Sequence, residues 1–206
     1  MVSSIPIING GDGAGQHPTQ ALLDLYTIWK EIGMIDNVTI AMVGDLKFGR
    51  TVRSLCYLLG KFNDIKIIFI SPQHLSIKDD IKDYLKKHNV QFEEKTELDK
   101  FLPLVDILYM TRIQKERMSD EEYINANEKY KITEENLKLL KKNARLLHPL
   151  PHVGEIELSI STEQTDRRVA YFRQADNGLY IRMALLSYRT LYKNGSIIIS
   201  IGIKNS

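Results

Sequence analysis

Four short runs of apolar residues, separated by longer amphipathic stretches, constrain the fold of this chain most strongly. The runs are nearly continuous and lack the polar–apolar alternation of a strand with one face in water. We therefore predict strands that are covered on both faces. They lie at residues 39–43, 66–70, 107–110 and 144–147, with a weaker candidate at 90–92.

The stretches between these runs are predicted to be helices, at residues 51–61, 79–88 and 97–104. In the last of them, apolar residues recur at helical spacing. Strands that alternate with helices imply right-handed crossovers and a parallel sheet. The predicted fold is an α/β, Rossmann-like three-layer domain, with a parallel sheet of about five strands and helices on both faces. Such a sheet binds ligands beyond the carboxyl ends of its strands.

Two further helices are predicted outside this alternation, at residues 21–32 and 178–192. Both carry broad apolar faces, so either the sheet or something outside this chain must cover them. The last residues, 196–206, are rich in β-branched side chains and follow an Asn-Gly turn signal. Disorder and an edge strand are equal alternatives for this tail.

The glycine-rich segment at residues 10–20, GGDGAGQHPTQ, runs directly into the first of these helices. Its glycines allow close approach of a ligand to the backbone, and exposed amides at a helix start favour an anion or a polar carbonyl group. His17 and Gln20 are three residues apart, so both can face one ligand. The alternative is a glycine-rich turn with a capping histidine.

Arginines follow two of the predicted strands. Arg50 opens a helix, where the helix dipole disfavours a cation, so its position indicates an anionic ligand. A pairing with Asp45 is the equal alternative. After the strand at 107–110, Arg112 and Gln114 alternate and can project from one face of an extended segment.

A fourth polar cluster, HPLPHVGE at residues 148–155, follows the last predicted strand. Its two prolines fix an extended turn whose carbonyl groups lack backbone donors. Carbonyl groups of that kind accept hydrogen bonds from a ligand amide.

Composition limits the classes of function. The formal net charge is +2, from 28 basic and 26 acidic side chains, which favours neither nucleic acid nor a membrane as a partner. The single Cys56 excludes an intrachain disulfide framework and a cysteine-based zinc site. No apolar stretch approaches the roughly 18 residues of a membrane-spanning helix, and the N-terminus lacks the pattern of a signal peptide. We expect a cytoplasmic location.

Taken together, several strings resemble the second half of aspartate carbamoyltransferase catalytic chains. They occur in order over most of the chain, and are GDGAGQHPTQALLDLYTI, MVGDLKFGRTVRSL, DILYMTRIQKER, LHPLPHVGEI and YFRQADNGLYIRMALL. The sister family of ornithine enzymes is expected to carry Cys-Leu-Pro and Ser-Met-Gly elements instead. The resemblance implies an aspartate-binding domain at residues 1–195, with both interdomain helices, and a tail at 196–206.

The resemblance also implies roles for individual residues. Carbamoyl phosphate is expected to bind His17, as the catalytic residue, together with Gln20 and the backbone of Leu150 and Pro151. L-aspartate is expected to bind three residues that follow predicted strands, namely Arg50, Arg112 and Gln114. The implied reaction forms N-carbamoyl-L-aspartate, the second step of de novo pyrimidine biosynthesis, without a metal or other cofactor. A homotrimer is implied for the complete protein, with regulatory chains as a further possibility.

The chain departs from the family pattern in two places. His152 stands where the family has an arginine that orders the site and its domain contacts. The N-terminal domain, with its Ser-Thr-Arg-Thr phosphate loop and a Ser and a Lys lent by the neighbouring subunit, is also expected to be absent. The helices at 21–32 and 178–192 would then expose apolar surface.

Two other functions remain open on the sequence. A stand-alone domain with Arg50 and Arg112 can bind dicarboxylates without chemistry. A nucleotide-dependent enzyme requires an acidic residue about 20 positions beyond the glycines, at a strand end. Asp36 has that spacing but is predicted to lie in a turn, which disfavours the nucleotide hypothesis.

Overall fold

The computed structural model describes residues 7–13, 15–113 and 119–191. Its elements in chain order are α1 (Pro18–Ile32), β1 (Thr39–Val43), α2 (Arg50–Leu59), β2 (Lys66–Ile70), α3 (Asp79–Lys87), β3 (Gln91–Lys95), β4 (Ile107–Met110), α4 (Asp120–Tyr130), β5 (Ile132–Thr133), α5 (Glu134–Leu139), β6 (Arg145–Leu147), β7 (Ile156–Glu157), α6 (Ile160–Thr165) and α7 (Tyr171–Leu191). Single 3-10 turns lie at Gln73–Leu75 and Leu102–Leu104.

Five parallel strands form the main sheet, in the order β3-β2-β1-β4-β6. β1 is therefore the central strand, and the loops after β1, β4 and β6 lie together at the carboxyl edge of the sheet. A short second sheet pairs β5 with β7. The predicted fold class, a three-layer α/β domain with five parallel strands, is confirmed.

The two faces of β1 belong to two different cores, which explains the continuous apolar runs. Ile40 and Met42 pack with buried residues of α1, α2 and α3. Ala41 and Val43 pack on the other side, with buried residues of α4 and α5. Because both faces are covered, neither set of alternating positions tolerates polar side chains.

The predicted helix at residues 97–104 is wrong. Only the 3-10 turn Leu102–Leu104 forms there, and Pro103 within it has no amide hydrogen to continue a helix. The helical spacing of Leu98, Leu102 and Val105 reflects burial of all three in an irregular segment. At the sheet edge, the weak strand predicted at 90–92 lies at Gln91–Lys95.

The two end helices differ in how well they are covered. On α1, Ala21 and Ile28 are fully buried in the core, although Trp29 is 52% exposed. On α7, four large apolar side chains are between 55% and 61% exposed, namely Leu179, Tyr180, Met183 and Leu186. The expected exposure of apolar surface is therefore found mainly on α7.

Among the described helices, none has the length and apolar character required to cross a bilayer. Gln114 and the tail at 196–206 lie outside the described residues.

Candidate active site

A cleft of about 460 Å³ opens at the carboxyl edge of the sheet. The loops after β1, β4 and β6 line it, together with Gly13 from the glycine-rich segment. Four predicted site residues share this cleft: Arg50, Arg112, Leu150 and Pro151. Their convergence follows from the strand order, because β1 and β4 are neighbours and β6 follows β4.

Arg50 is the first residue of α2, after the N-cap Gly49. Its Nη1 donates a hydrogen bond to the carbonyl oxygen of Gly13, at 3.2 Å. The guanidinium group thus joins the glycine-rich segment to the loop after β1. Asp45, buried in the same loop, accepts a hydrogen bond from the amide of Phe48 at 3.0 Å and fixes the turn that leads to Arg50.

Gly44 lets the ends of β1 and β4 approach each other. Its φ is +116°, and a Cβ placed there would lie 2.3 Å from the carbonyl oxygen of Thr111. Thr111 donates in turn through its hydroxyl to the carbonyl of Val43, at 2.9 Å. Arg112 follows directly, so this close approach helps to set the position of both cleft arginines.

The loop after β6 is held by a buried imidazole. The amide of Leu150 donates to Nδ1 of His148 at 2.9 Å, so the neutral ring carries its hydrogen on Nε2. That Nε2 lies 2.8 Å from Oε1 of Glu155 and donates to it. Leu150 has a φ of +54°, and the Leu150-Pro151 peptide is cis. The loop that contributes Leu150 and Pro151 to the cleft is therefore held in place by the side chains of His148 and Glu155.

Glu155 is also ordered by its own loop. Its Oε2 accepts hydrogen bonds from the amides of Val153 at 3.2 Å and Gly154 at 3.0 Å. Burial raises the pKa of this carboxyl, but the hydrogen bonds from His148 and Gly154 outweigh burial and lower it to about 2. Glu155 is thus an ionised acceptor beneath the loop at neutral pH.

His17 and Gln20 do not line this cleft. His17 lies just before α1, and its amide donates to Oγ of Ser54 on α2 at 2.8 Å. Burial, and then the positive charges of Arg50 and Arg182, lower the pKa of the imidazole, which is therefore neutral at pH 7. A neutral imidazole can donate one hydrogen bond to a carbonyl oxygen without adding charge.

Gln20 reaches the interior. Its Nε2 donates to Oδ1 of the fully buried Asp24 at 2.8 Å, which leaves its carbonyl oxygen as the acceptor for a ligand. Asp24, Gln174 and Glu155 were not predicted as site residues. The sequence did contain a signal for Asp24. It lies within the apolar stripe of α1, four positions after Gln20, and a carboxylate is unusual at a position that faces a core.

His152 points toward α6 and α7. Its Nε2 lies 3.4 Å from Oε1 of Glu163, and its ring is 5.4 Å from that of Tyr171. Tyr171 donates to the same Glu163 carboxylate. Within the described ranges, no group of three or more His, Cys, Asp or Glu side chains is arranged to hold a metal ion.

Two family models match the chain. Residues 36–189 match the Asp/Orn binding domain of aspartate/ornithine carbamoyltransferases. The chain belongs to the aspartate/ornithine carbamoyltransferase family. Residues 1–30 match the carbamoyl-P binding domain of the same carbamoyltransferases, and this stretch contains His17, Gln20 and most of α1.

Named relatives of this carbamoyltransferase chain are aspartate enzymes. It is 51% identical over 186 residues to aspartate carbamoyltransferase 1, chloroplastic, of Pisum sativum, a match that covers 89% of this chain and 47% of the relative. It is 47% identical over 182 residues to the aspartate carbamoyltransferase catalytic subunit of Aliivibrio fischeri, covering 88% and 58%. The chain spans about half the length of the curated relatives that it matches.

Solved structures agree with the carbamoyltransferase fold. The catalytic subunit of M. jannaschii aspartate transcarbamoylase superimposes with a TM-score of 0.85 at 46% identity, over 93% of this chain and 61% of that one. The Trypanosoma cruzi aspartate transcarbamoylase in complex with N-(phosphonacetyl)-L-aspartic acid gives 0.79 at 39% identity, over 88% and 58%. The grouping of residues 1–195 into one aspartate-binding domain remains a prediction.

Proposed function

We propose that this chain supplies the aspartate half of an aspartate carbamoyltransferase active site. The reaction converts carbamoyl phosphate and L-aspartate into N-carbamoyl-L-aspartate and phosphate, in de novo pyrimidine biosynthesis. The observation that carries the proposal is the shared cleft, which is lined by Arg50 and Arg112 together with Leu150 and Pro151. Two guanidinium groups suit a ligand with two carboxylates.

In the proposed mechanism, Arg50 and Arg112 each bind one carboxylate of L-aspartate, and Gln114 steadies the same substrate. The carbonyl oxygens of Leu150 and Pro151, and that of the Gln20 side chain, accept from the carbamoyl amide. The neutral His17 donates to the carbamoyl oxygen, whose negative charge increases in the transition state.

The chemistry then needs no covalent intermediate with the protein. The amino nitrogen of aspartate attacks the carbamoyl carbon, and the bond from that carbon to the phosphate oxygen breaks. Phosphate leaves with the electron pair and takes up the proton that the amine loses. The residues contribute orientation and preset electrostatics. The reaction requires no metal or other cofactor in this proposal.

The test supplies the phosphate-binding half separately. The carbamoyl-P binding domain of the Aliivibrio fischeri relative is mixed with this chain, and N-carbamoyl-L-aspartate is measured by chromatography. We expect product from the mixture and little from either part alone. A mixture that forms a stable complex but gives no product contradicts the proposal.

A non-catalytic dicarboxylate-binding domain is the second candidate. It is favoured because His17 and Gln20 do not line the cleft that holds the two arginines. Calorimetric titration of this chain with succinate, before and after Arg112→Ala, measures the binding step alone. Equal affinity in the two proteins would exclude dicarboxylate binding through Arg112.

We also propose a homotrimer for the assembled protein and a cytoplasmic location. The name of one relative, catalytic subunit, supports assembly with other chains, and regulatory chains are among the proposed partners. The plant relatives are named chloroplastic, so the location is tested directly by cell fractionation. Sedimentation velocity of the complex tests the trimer, and a monomeric complex that is fully active would contradict it.

A further inference from the structure

Asp24 is buried on α1 and accepts hydrogen bonds from three separate parts of the chain. Its Oδ1 accepts from Nε2 of Gln20 at 2.8 Å and from Nε2 of Gln174 at 2.6 Å. Its Oδ2 accepts from the hydroxyl of Tyr109 at 2.8 Å. All three partners can donate, so the arrangement matches an ionised carboxylate.

The two glutamine side chains that donate to Oδ1 each have a carbonyl oxygen that is not used on Asp24. Gln20 uses its amide hydrogen on Asp24 and keeps its carbonyl oxygen for another donor. Gln174 presents its own carbonyl oxygen to the backbone amide of His148, at 2.8 Å. His148 begins the loop that carries Leu150 and Pro151, so one carboxylate oxygen orients both elements.

We propose that Asp24 is a positioning residue that holds Gln20 and the Leu150–Pro151 loop in one preformed set of acceptors for the carbamoyl amide. The proposal rests on the function proposed above. It extends that function because Asp24 is buried, does not line the cleft and acts through Gln20 and Gln174. Preorganised acceptors bind an amide without the cost of ordering two separate segments.

The charge state of Asp24 decides whether the set is ordered. Burial raises its pKa, the hydrogen bonds from Gln174, Tyr109 and Gln20 lower it, and the result is about 6. The titratable group that faces it from β4 is Tyr109, whose pKa burial raises well above its usual value. On α7, the group that faces Asp24 is the neutral amide of Gln174. Cys56 of α2 lies beyond Tyr109, and burial raises the pKa of its thiol. Protonation of Asp24 removes the negative charge that strengthens both amide hydrogen bonds, so the set loosens below about pH 6.

The first test does not depend on activity. The side-chain amide signals of Gln20 and Gln174 are followed by ¹⁵N NMR in this chain between pH 5 and pH 8, with the ¹³C signal of the Asp24 carboxyl. We expect all three to move with one midpoint near 6. In Asp24→Asn, which keeps an oxygen acceptor but cannot titrate, the two amide signals should stay constant. If the amide signals of Gln20 and Gln174 do not change at the midpoint of the Asp24 titration, the proposal is overturned.

The second test measures kinetics of the chain assembled with the carbamoyl-P binding domain. Asp24→Ala should raise KM for carbamoyl phosphate about tenfold, because two acceptors lose their orientation, and should leave KM for aspartate within about twofold. The wild-type KM for carbamoyl phosphate should rise as the pH falls from 8 to 5.5, whereas Asp24→Asn, which is neutral at every pH, should show the raised KM already at pH 8 and no further change at pH 5.5. Tyr109→Phe removes the third donor and leaves both amides in place; because the hydrogen bond from Tyr109 lowers the pKa of Asp24, the rise in KM should begin at a higher pH in this variant.

The outcomes are separable. An Asp24→Ala protein that folds and shows no change in KM for carbamoyl phosphate, or an equal change for both substrates, overturns the positioning role. If Asp24→Ala does not fold, the pH profile of Asp24→Asn decides the question. If the wild-type assembly makes no product, the proposed function fails, and the NMR titration still decides whether Asp24 couples the two amides.

Discussion

Oε1 of Glu155 lies 2.8 Å from Nε2 of His148, and both side chains are at most 2% exposed. This pair also fixes the loop of Leu150 and Pro151, because Nδ1 of His148 accepts a hydrogen bond from the Leu150 amide. The carboxylate is ionised at neutral pH because its hydrogen bonds lower its pKa to about 2. Stability and pH are therefore linked at this pair.

The stability contributed by Glu155 should be present above pH 4.5 and lost as the pH falls toward 2. The sign follows because the pKa in the folded protein, about 2, lies below the reference value of 4.5. Glu155→Gln should lower the free energy of unfolding by about 1–3 kcal/mol at pH 7, because buried donors lose a charged acceptor. Urea unfolding at pH 7 and pH 3 measures the difference, which should shrink at pH 3. An equal difference at both pH values would contradict the linkage.

Arg50→Ala should weaken succinate binding by about tenfold to a hundredfold, because a charge-assisted hydrogen-bond pair is lost from the cleft. Arg53→Ala is the matched control on the same helix. Its guanidinium pairs with Asp80 and does not line the cleft. Calorimetry measures both variants, and equal losses would mean that general charge, not position, governs binding.

Gly44→Ala should destabilise the protein by about 3 kcal/mol or more, because it combines a disfavoured φ with a close backbone contact. The structure gives a φ of +116° and a Cβ contact of 2.3 Å to the Thr111 carbonyl. Gly33→Ala serves as the control, since Gly33 has a φ of +81° but nothing within 4 Å of its Cβ. Its cost should be about 1 kcal/mol, from the backbone conformation alone. Thermal and urea unfolding of both variants check the contrast.

His152→Arg should raise the free energy of unfolding by about 0.5–1 kcal/mol at pH 8, because a permanent charge then faces Glu163. A double-mutant cycle with Glu163→Gln isolates this pair from the hydrogen bond that Tyr171 donates to the same carboxylate. The gain should vanish in the Glu163→Gln background. A gain that persists there would assign it to contacts other than the carboxylate.

The sheet and the cleft arginines were predictable because their signals are local. Continuous apolar runs identified the strands with two buried faces, and a parallel sheet places Arg50 and Arg112 at one edge. The error at residues 97–104 arose because apolar spacing reports burial, and Leu98 and Leu102 reach the core without a helix. Proline at position 103 was the local sign against it.

Asp24 was not predictable in the same way. Its role depends on Gln174, which is 150 positions away in the chain, and on Tyr109, which is 85 positions away. No pattern within one segment reports such a meeting, because it is decided by how α1, α7 and β4 pack. Periodicity reveals which side of an element is buried, but not which polar groups share that interior.

Val43 and Met110 are register partners across β1 and β4, and Arg50 and Arg112 follow those two strands. Neighbouring strands are spaced about 4.8 Å apart by their hydrogen bonds. The spacing of the sheet therefore fixes how far apart the two loops that carry these arginines begin. An insertion or deletion in either loop can move its arginine, but only a change of strand order would alter the distance between the points where the two loops start.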